Sequence, residues 1–383
     1  MTHDYVATSA NMKPYHETLT KTAVPADRFT RQVFRTVYCE GPSLHQTELL
    51  DCPTMIVSSH RSHLDYILLG IHCSKLGYRN LRFAAGDNLT RMPYIGTKFA
   101  SLGAFPIYRN RVKKRKYVLE LCEQVAAMLA GGDNVIAFPE GGRSYGGAML
   151  KMKSGLIAAN VIAQCRSPHR QHYYLPFTVS YEVLPEISYL SWLEEARRLR
   201  RDPYRWVRRA AGSCVYYGAD LAAFAGFVLS GRFGSRYGNV YLDYAEPFAV
   251  GSVIDVKNTC APDARNVLVA HKVATRRLAE EIRRYLLRLY RILPMHVVAY
   301  ELKNGHTRRG DITARIPAIV GLLEAQGRNC RTLNALSDEE VFEQGTAQLR
   351  HLNAVAVHAG DVSPIKADIV NYCAHAVDPP DLG

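Results

Sequence analysis

The strongest constraint on the fold is a series of short apolar runs separated by stretches of helical periodicity. Thr54 to Val57, Leu81 to Ala85, Ala104 to Tyr108, Asn134 to Phe138, Tyr173 to Tyr181 and Asn239 to Tyr244 each read as a strand buried on both faces. Between them lie helical patterns over Tyr66 to Leu76, Thr90 to Leu102, Lys113 to Ala130, Met149 to Ala163 and Val267 to Leu293. Strands that alternate with helices imply an α/β domain with a largely parallel central sheet flanked by helices. Phe29, Val33, Phe34 and Val37 have helical spacing, so a further helix is expected over Asp27 to Tyr38. Beyond Pro294 the stripe Ile312, Ile316, Ile319, Val320 and Leu323 indicates helices, and Leu349 to Val357 suggests another. The expected organisation is an N-terminal helical segment over 1–50, the α/β domain over 51–293 and a small helical C-terminal appendage over 294–383.

Three of the strand ends carry chemistry. The first run stops in V-S-S-H-R-S-H-L-D, which places His60 in the connection and Asp65 in the first turn of the next helix. A histidine is a serviceable base near neutral pH, and a carboxylate on its Nδ1 fixes the tautomer and stabilises the imidazolium. The same stretch also fits a capping box, Ser62-x-x-Asp65 before an apolar run, in which Asp65 serves only the helix start. A metal site would need further ligands at regular spacing near His63, and none are present there, so no metal is expected.

The second loop runs from Gly103 to Arg109 and is followed by Arg111, Lys113, Lys114, Arg115 and Lys116 at a helix start, where positive charge opposes the macrodipole. Such a cluster suits an anion such as phosphate, or it is an exposed charged helix start. The third loop, Phe138 to Ser144, reads F-P-E-G-G-R-S. Its adjacent glycines allow a sharp turn with exposed N–H groups, Glu140 could orient a hydroxyl, and Arg143 could clamp a phosphate. Neither a P-loop nor a dinucleotide fingerprint is present.

Taken together and in this order, the loops resemble the blocks of the glycerophospholipid acyltransferases. The resemblance rests on His60 and Asp65 as H-x-x-x-x-D, Gly103 to Arg109, Phe138 to Ser144, and the proline-containing strand Leu175 to Val179, and it covers about residues 25 to 300. H-R-S-H-L-D-Y, Tyr237 to Pro247 and Tyr290 to Val298 look more like the glycerol-3-phosphate branch, whereas Phe138-Pro139 is the lysophosphatidate-like form, so that acceptor remains the alternative. The resemblance implies transfer of a fatty acyl group from acyl-CoA or acyl carrier protein to the sn-1 hydroxyl of glycerol-3-phosphate, with no further cofactor. His60 and Asp65 would be catalytic. Arg109, Glu140, Gly141, Gly142, Arg143 and Ser144 would bind substrate, the two arginines at the phosphate and the glycine N–H groups at the oxyanion.

The formal charge of +13 fits anionic partners: an anionic membrane surface, the phosphorylated acceptor and the donor. The rival class is a basic membrane- or nucleic-acid-binding module without catalysis; nucleic acid itself is not expected as a partner. A hydrolase with the same dyad is a second rival, and its distinguishing feature would be a G-x-S-x-G nucleophile elbow. Ala210 to Gly231 is apolar but interrupted by Asp220, and it follows the arginine-rich stretch Glu194 to Arg209, so the expectation is a helix lying on the membrane surface, with a buried core helix as the alternative. Nine cysteines without a C-x-x-C read as reduced core residues, and the start of the chain has no apolar signal region. The expected location is therefore peripheral, on the cytoplasmic face of a membrane.

Overall fold

The computed structural model describes residues 30, 33–44, 47–86, 103–108, 110–198, 237–260, 264–358 and 360–377. The helix expected over 90–102, the residue Arg109, and the apolar segment 210–231 with the arginines from 199 onward lie outside these.

The main strands are β1 (Thr36–Glu40), β2 (Thr54–Ser58), β3 (Leu81–Gly86), β4 (Ala104–Ile107), β5 (Asn134–Ala137), β6 (Tyr173–Tyr181), β7 (Asn239–Tyr244) and the short β8 (Phe248–Ala249). They form one sheet in the order β1-β7-β6-β2-β5-β3-β4, with β8 beside the start of β6. The five strands from β6 to β4 are mutually parallel. β7 runs antiparallel to β6, and β1 is parallel to β7. The carboxyl ends of β2, β4, β5 and β6 therefore share one edge of the sheet, the edge at which α/β folds place ligands.

The longer helices among the described residues of this part are α1 (Asp65–Lys75), α2 (Arg115–Ala130), α3 (Ser154–Arg166), α4 (Ile187–Arg198) and α5 (Ala264–Leu289). β2, β3 and β5 are buried along their whole length. Their side chains divide between the two faces with the period of two that a strand imposes. Met55, Val57, Val135 and Ala137 join Leu121, Val125, Leu129, Ile157, Leu278 and Ile282 on the face covered by α2, α3 and α5. Ile56, Phe83 and Ile136 join Leu68 and Leu69 of α1 on the other.

The C-terminal region is helical, with α6 (Pro294–Lys303), α7 (Arg309–Ala325), α8 (Asp338–His351) and α9 (Ala367–Ala374). Its residues Val297, Leu302, Ile316, Leu349, Val370 and Cys373 belong to the same hydrophobic cluster as Ile56 and Leu68 of the sheet domain. A buried ion pair adds to this junction: Arg291 Nη2 lies 2.5 Å from Asp243 Oδ1 and 2.8 Å from Glu40 Oε2.

Three expectations are corrected. The helix expected over 27–38 gives way at Thr36 to β1, because Thr-Val-Tyr-Cys-Glu is rich in β-branched and aromatic residues and finds a strand partner in β7. The helix expected over 349–357 ends at His351, and Val355–His358 (β9) forms a hairpin with Asp361–Pro364 (β10). The cysteines are not all free: Cys165 and Cys260, 95 residues apart, are joined in a disulfide. That distance in sequence carries no local spacing by which the pairing could have been read.

Candidate active site

β2 ends at Ser58, and the next six residues turn the chain into α1, which begins at Asp65 itself. His60 Nδ1 donates to Asp65 Oδ2 at 2.9 Å. The same oxygen accepts the backbone N–H of Arg61 at 2.7 Å and of Ser62 at 2.9 Å. Asp65 Oδ1 accepts the hydroxyl of Tyr181, the last residue of β6, at 2.5 Å. The carboxylate is wholly buried, so these four donors take the place of water. The capping reading is thus half met. Asp65 does take the Ser62 N–H, but Ser62 Oγ turns to Glu186 at 2.6 Å, and Leu64 at the helix cap has no side-chain cap. One carboxylate closes the turn and holds the imidazole. The His60 ring packs against Phe138, with centroids 4.3 Å apart, and against the edge of Tyr66 at 5.2 Å. With Nδ1 committed to Asp65, Nε2 is the nitrogen left for a substrate.

The third loop leaves β5 directly beside this turn. Glu140 is buried, with Oε1 accepting the His60 N–H at 3.0 Å and Oε2 the Leu150 N–H at 2.7 Å. Burial raises its pKa above the usual carboxylate value, against the opposing pull of Arg61 and the two N–H donors. Each of its oxygens thus takes one main-chain N–H, so Glu140 braces the backbone of the base. Gly141 has φ +68° and donates its N–H to Phe138 O at 2.9 Å, so that amide serves the turn and is not available to an oxyanion. Gly142 borders open space, with no atom within 4 Å of where a Cβ would stand. Ser144 donates its N–H to His60 O at 3.3 Å, and its buried Oγ has no hydrogen-bond partner. Arg143 is 12% exposed and its Nη1 lies 3.6 Å from Glu186 Oε1. The structure thus brings together His60, Asp65, Glu140, Gly141, Gly142, Arg143 and Ser144, while Arg109 is outside the described residues.

Three residues of this arrangement were missed from the sequence. Tyr181 closes the fourth block's strand, and Glu186 follows in the next loop; the convergence of parallel strand ends was the signal for both. Arg61 offered no signal, because an arginine beside a catalytic histidine reads as solvent-facing. It is in fact 3% exposed, donates from Nη1 to Gly147 O at 2.6 Å and lies 4.9 Å from the centre of the Tyr290 ring. His375, from the C-terminal region, donates from Nδ1 to Gly146 O at 2.5 Å. The loop after Ser144 is therefore held from both sides.

A histidine oriented by a buried carboxylate, beside a glycine turn and an arginine at one edge of a parallel sheet, is an arrangement able to take a proton from a nucleophile next to an anion. The comparisons agree with that class. Residues 37–180 match the Acyltransferase family model. Among curated proteins, the glycerol-3-phosphate acyltransferase of Xylella fastidiosa (strain M23) is 34% identical over 199 residues, 52% of this chain and 21% of that protein. That of Xanthomonas axonopodis pv. citri (strain 306) is 39% identical over 139 residues, 36% of this chain and 15% of that protein. That of Pseudomonas fluorescens (strain SBW25) is 30% identical over 254 residues, 64% of this chain and 27% of that protein. The chain thus spans about a quarter or less of the length of these relatives. A solved structure, the 1-acyl-sn-glycerophosphate (LPA) acyltransferase PlsC from Thermotoga maritima, aligns over 70% of this chain and 81% of its own at 18% identity and a TM-score of 0.36.

Proposed function

We propose that the protein transfers a fatty acyl group from a thioester, acyl-CoA or acyl carrier protein, to the sn-1 hydroxyl of glycerol-3-phosphate in phospholipid synthesis. The observation that carries this reading is the His60–Asp65 pair at 2.9 Å, on an edge shared with the glycine turn and Arg143. His60 Nε2 takes the proton of the acceptor hydroxyl as its oxygen attacks the thioester carbonyl carbon. Asp65 stabilises the imidazolium, and the tetrahedral oxyanion faces the open side of Gly142. The C–S bond then breaks, the departing sulfur takes the proton back from His60, and an ester and a free thiol leave. No acyl-enzyme is needed. Arg143 and Arg109 hold the acceptor phosphate, a contact to which guanidinium geometry is suited.

The same reading makes the enzyme a peripheral protein on an anionic membrane surface, since its product is a membrane lipid and the chain carries +13. Among the described residues no helix is long and apolar enough to cross a membrane. Purified protein given labelled glycerol-3-phosphate and acyl-CoA or acyl carrier protein should form lysophosphatidate. Product from lysophosphatidate but not from glycerol-3-phosphate would move the assignment to the second acylation, and no product from either would refute it. Alkaline carbonate should release the protein from vesicles containing phosphatidylglycerol, and retention in the pellet would contradict peripheral attachment.

A further inference from the structure

Glu186 lies in the turn between β6 and α4, outside every loop that the acyltransferase motifs cover, yet it touches two of them. Its Oε2 accepts Ser62 Oγ at 2.6 Å and its Oε1 accepts the His63 N–H at 2.9 Å, which ties it to the loop of the base. Its Oε1 also lies 3.6 Å from Arg143 Nη1, in the loop that follows β5. The side chain is 14% exposed, and both oxygens are held by hydrogen bonds to the His60 loop, so the carboxylate is fixed.

The arginine, by contrast, is incompletely used. Arg143 Nη1 is buried and makes no hydrogen bond, because 3.6 Å is a charge contact and not a bonded one. The guanidinium also lies 6.0 Å from the centre of the Tyr189 ring, which like Glu186 belongs to the segment after β6. A buried guanidinium N–H needs an acceptor, and a phosphate oxygen supplies one without displacing Glu186. A cation held by charge at one fixed distance from the base loop keeps a defined separation between the phosphate it binds and the imidazole.

We propose that Glu186 is a positioning residue for the acceptor: it holds Arg143 and the His60 loop in one register, so that the phosphate bound by Arg143 places its own glycerol hydroxyl at His60. This rests on the reading of the site as a glycerol-3-phosphate acyltransferase. A residue that merely braced the loop would affect donor and acceptor alike; one that works through Arg143 affects the acceptor alone.

The test uses four full-length proteins: wild type, Glu186→Gln, Arg143→Gln and the double variant. For each, the KM values for glycerol-3-phosphate and for acyl-CoA are measured, together with the Kd for glycerol-3-phosphate by calorimetry. Each single substitution should raise the acceptor KM and Kd about tenfold, the loss expected for one charge-assisted contact, with the donor KM within about twofold of wild type. The double variant should be no worse than Arg143→Gln alone, since both substitutions remove the same contact. Equal rises for donor and acceptor, or a double variant whose loss is the product of the two, would overturn the proposal. If Glu186→Gln does not fold, Glu186→Asp keeps the charge, shortens the reach and should produce the same acceptor-selective rise. Wild-type protein that binds glycerol-3-phosphate without turnover would refute the acyltransferase reading while the calorimetric comparison still decides the role of Glu186. Absence of binding would refute both.

Discussion

Tyr181 donates its hydroxyl to Asp65 Oδ1 at 2.5 Å while His60 holds Oδ2 of the same carboxylate at 2.9 Å. The tyrosine ends β6, the strand paired in parallel with β2, so the orientation of the base is fixed by the neighbouring strand as well as by its own loop. Tyr181→Phe leaves the ring in place and strands one oxygen of a buried carboxylate. A hydrogen bond to a charged group contributes about 1.5 to 3 kcal/mol, so a denaturation curve should show a loss of that size together with a lower kcat. Unchanged stability and unchanged kcat would show that Asp65 does not depend on Tyr181.

Glu140→Gln tests whether that carboxylate braces the backbone or handles substrate. An amide offers one acceptor oxygen where the carboxylate offers two, so either the His60 N–H or the Leu150 N–H loses its partner. The expected result is a kcat reduced by roughly tenfold or more with little change in the KM of the acceptor, since a small displacement of the base is costly. A rise confined to the acceptor KM would return Glu140 to the substrate.

Gly147→Ala should be among the most damaging single changes in the loop. The residue has φ +83°, and a Cβ there would stand 1.9 Å from Tyr372 O, a backbone atom that has no rotamer with which to move away. Strain and overpacking together should cost roughly 2 to 5 kcal/mol, measured as a fall in Tm. Arg61, which hangs on Gly147 O, should shift with it, and activity should fall even in the folded fraction.

Two buried histidines weaken the fold in acid, opposed by the buried carboxylates of Glu140, Glu186 and Asp243, whose pKa values burial raises. Burial, with Arg170 nearby, holds His172 down to about 4, and burial, with Arg61 and Arg328, holds His296 down to about 3. His296 Nδ1 accepts the Leu293 N–H, and His172 Nε2 is buried without a partner, so neither ring gains from a proton. For groups depressed on folding, the stability they contribute is full above the unfolded value near 6.5 and is lost as pH falls toward the folded values. Each histidine should remove up to about 1.4 kcal/mol per pH unit below 6.5, read as a falling denaturant midpoint between pH 7 and pH 5. His296→Gln should flatten that slope, and an unchanged slope would show that the ring is not buried neutral.

The sheet was legible because its central strands are continuous apolar runs and their helices have clean periodicity. β1 was not, since Val33, Phe34 and Val37 satisfy a helical spacing, and only pairing with β7, some two hundred residues later, selects the strand. In the site, His60 and Asp65 could be paired from five residues of separation and one turn. The bracing role of Glu140 was not legible, because nothing in the sequence shows that the backbone of His60 lies against it. Arg61, Tyr181 and Glu186 act across distances in sequence that no local pattern records; the 86 residues between Arg61 and Gly147 are one example.

The central claim, that His60 is the base in acyl transfer, is tested most directly by His60→Ala, with turnover of glycerol-3-phosphate and acyl-CoA measured beside the melting curve. His60 sits in a loop and its main chain is held through its own N–H and carbonyl, so the fold should survive the loss of the ring. The account predicts a kcat lower by about two to four orders of magnitude, the contribution of a positioned general base, in a protein that still folds cooperatively but loses stability as Tyr181→Phe does, since Asp65 again loses one donor. Near-normal turnover in a folded His60→Ala protein would contradict it.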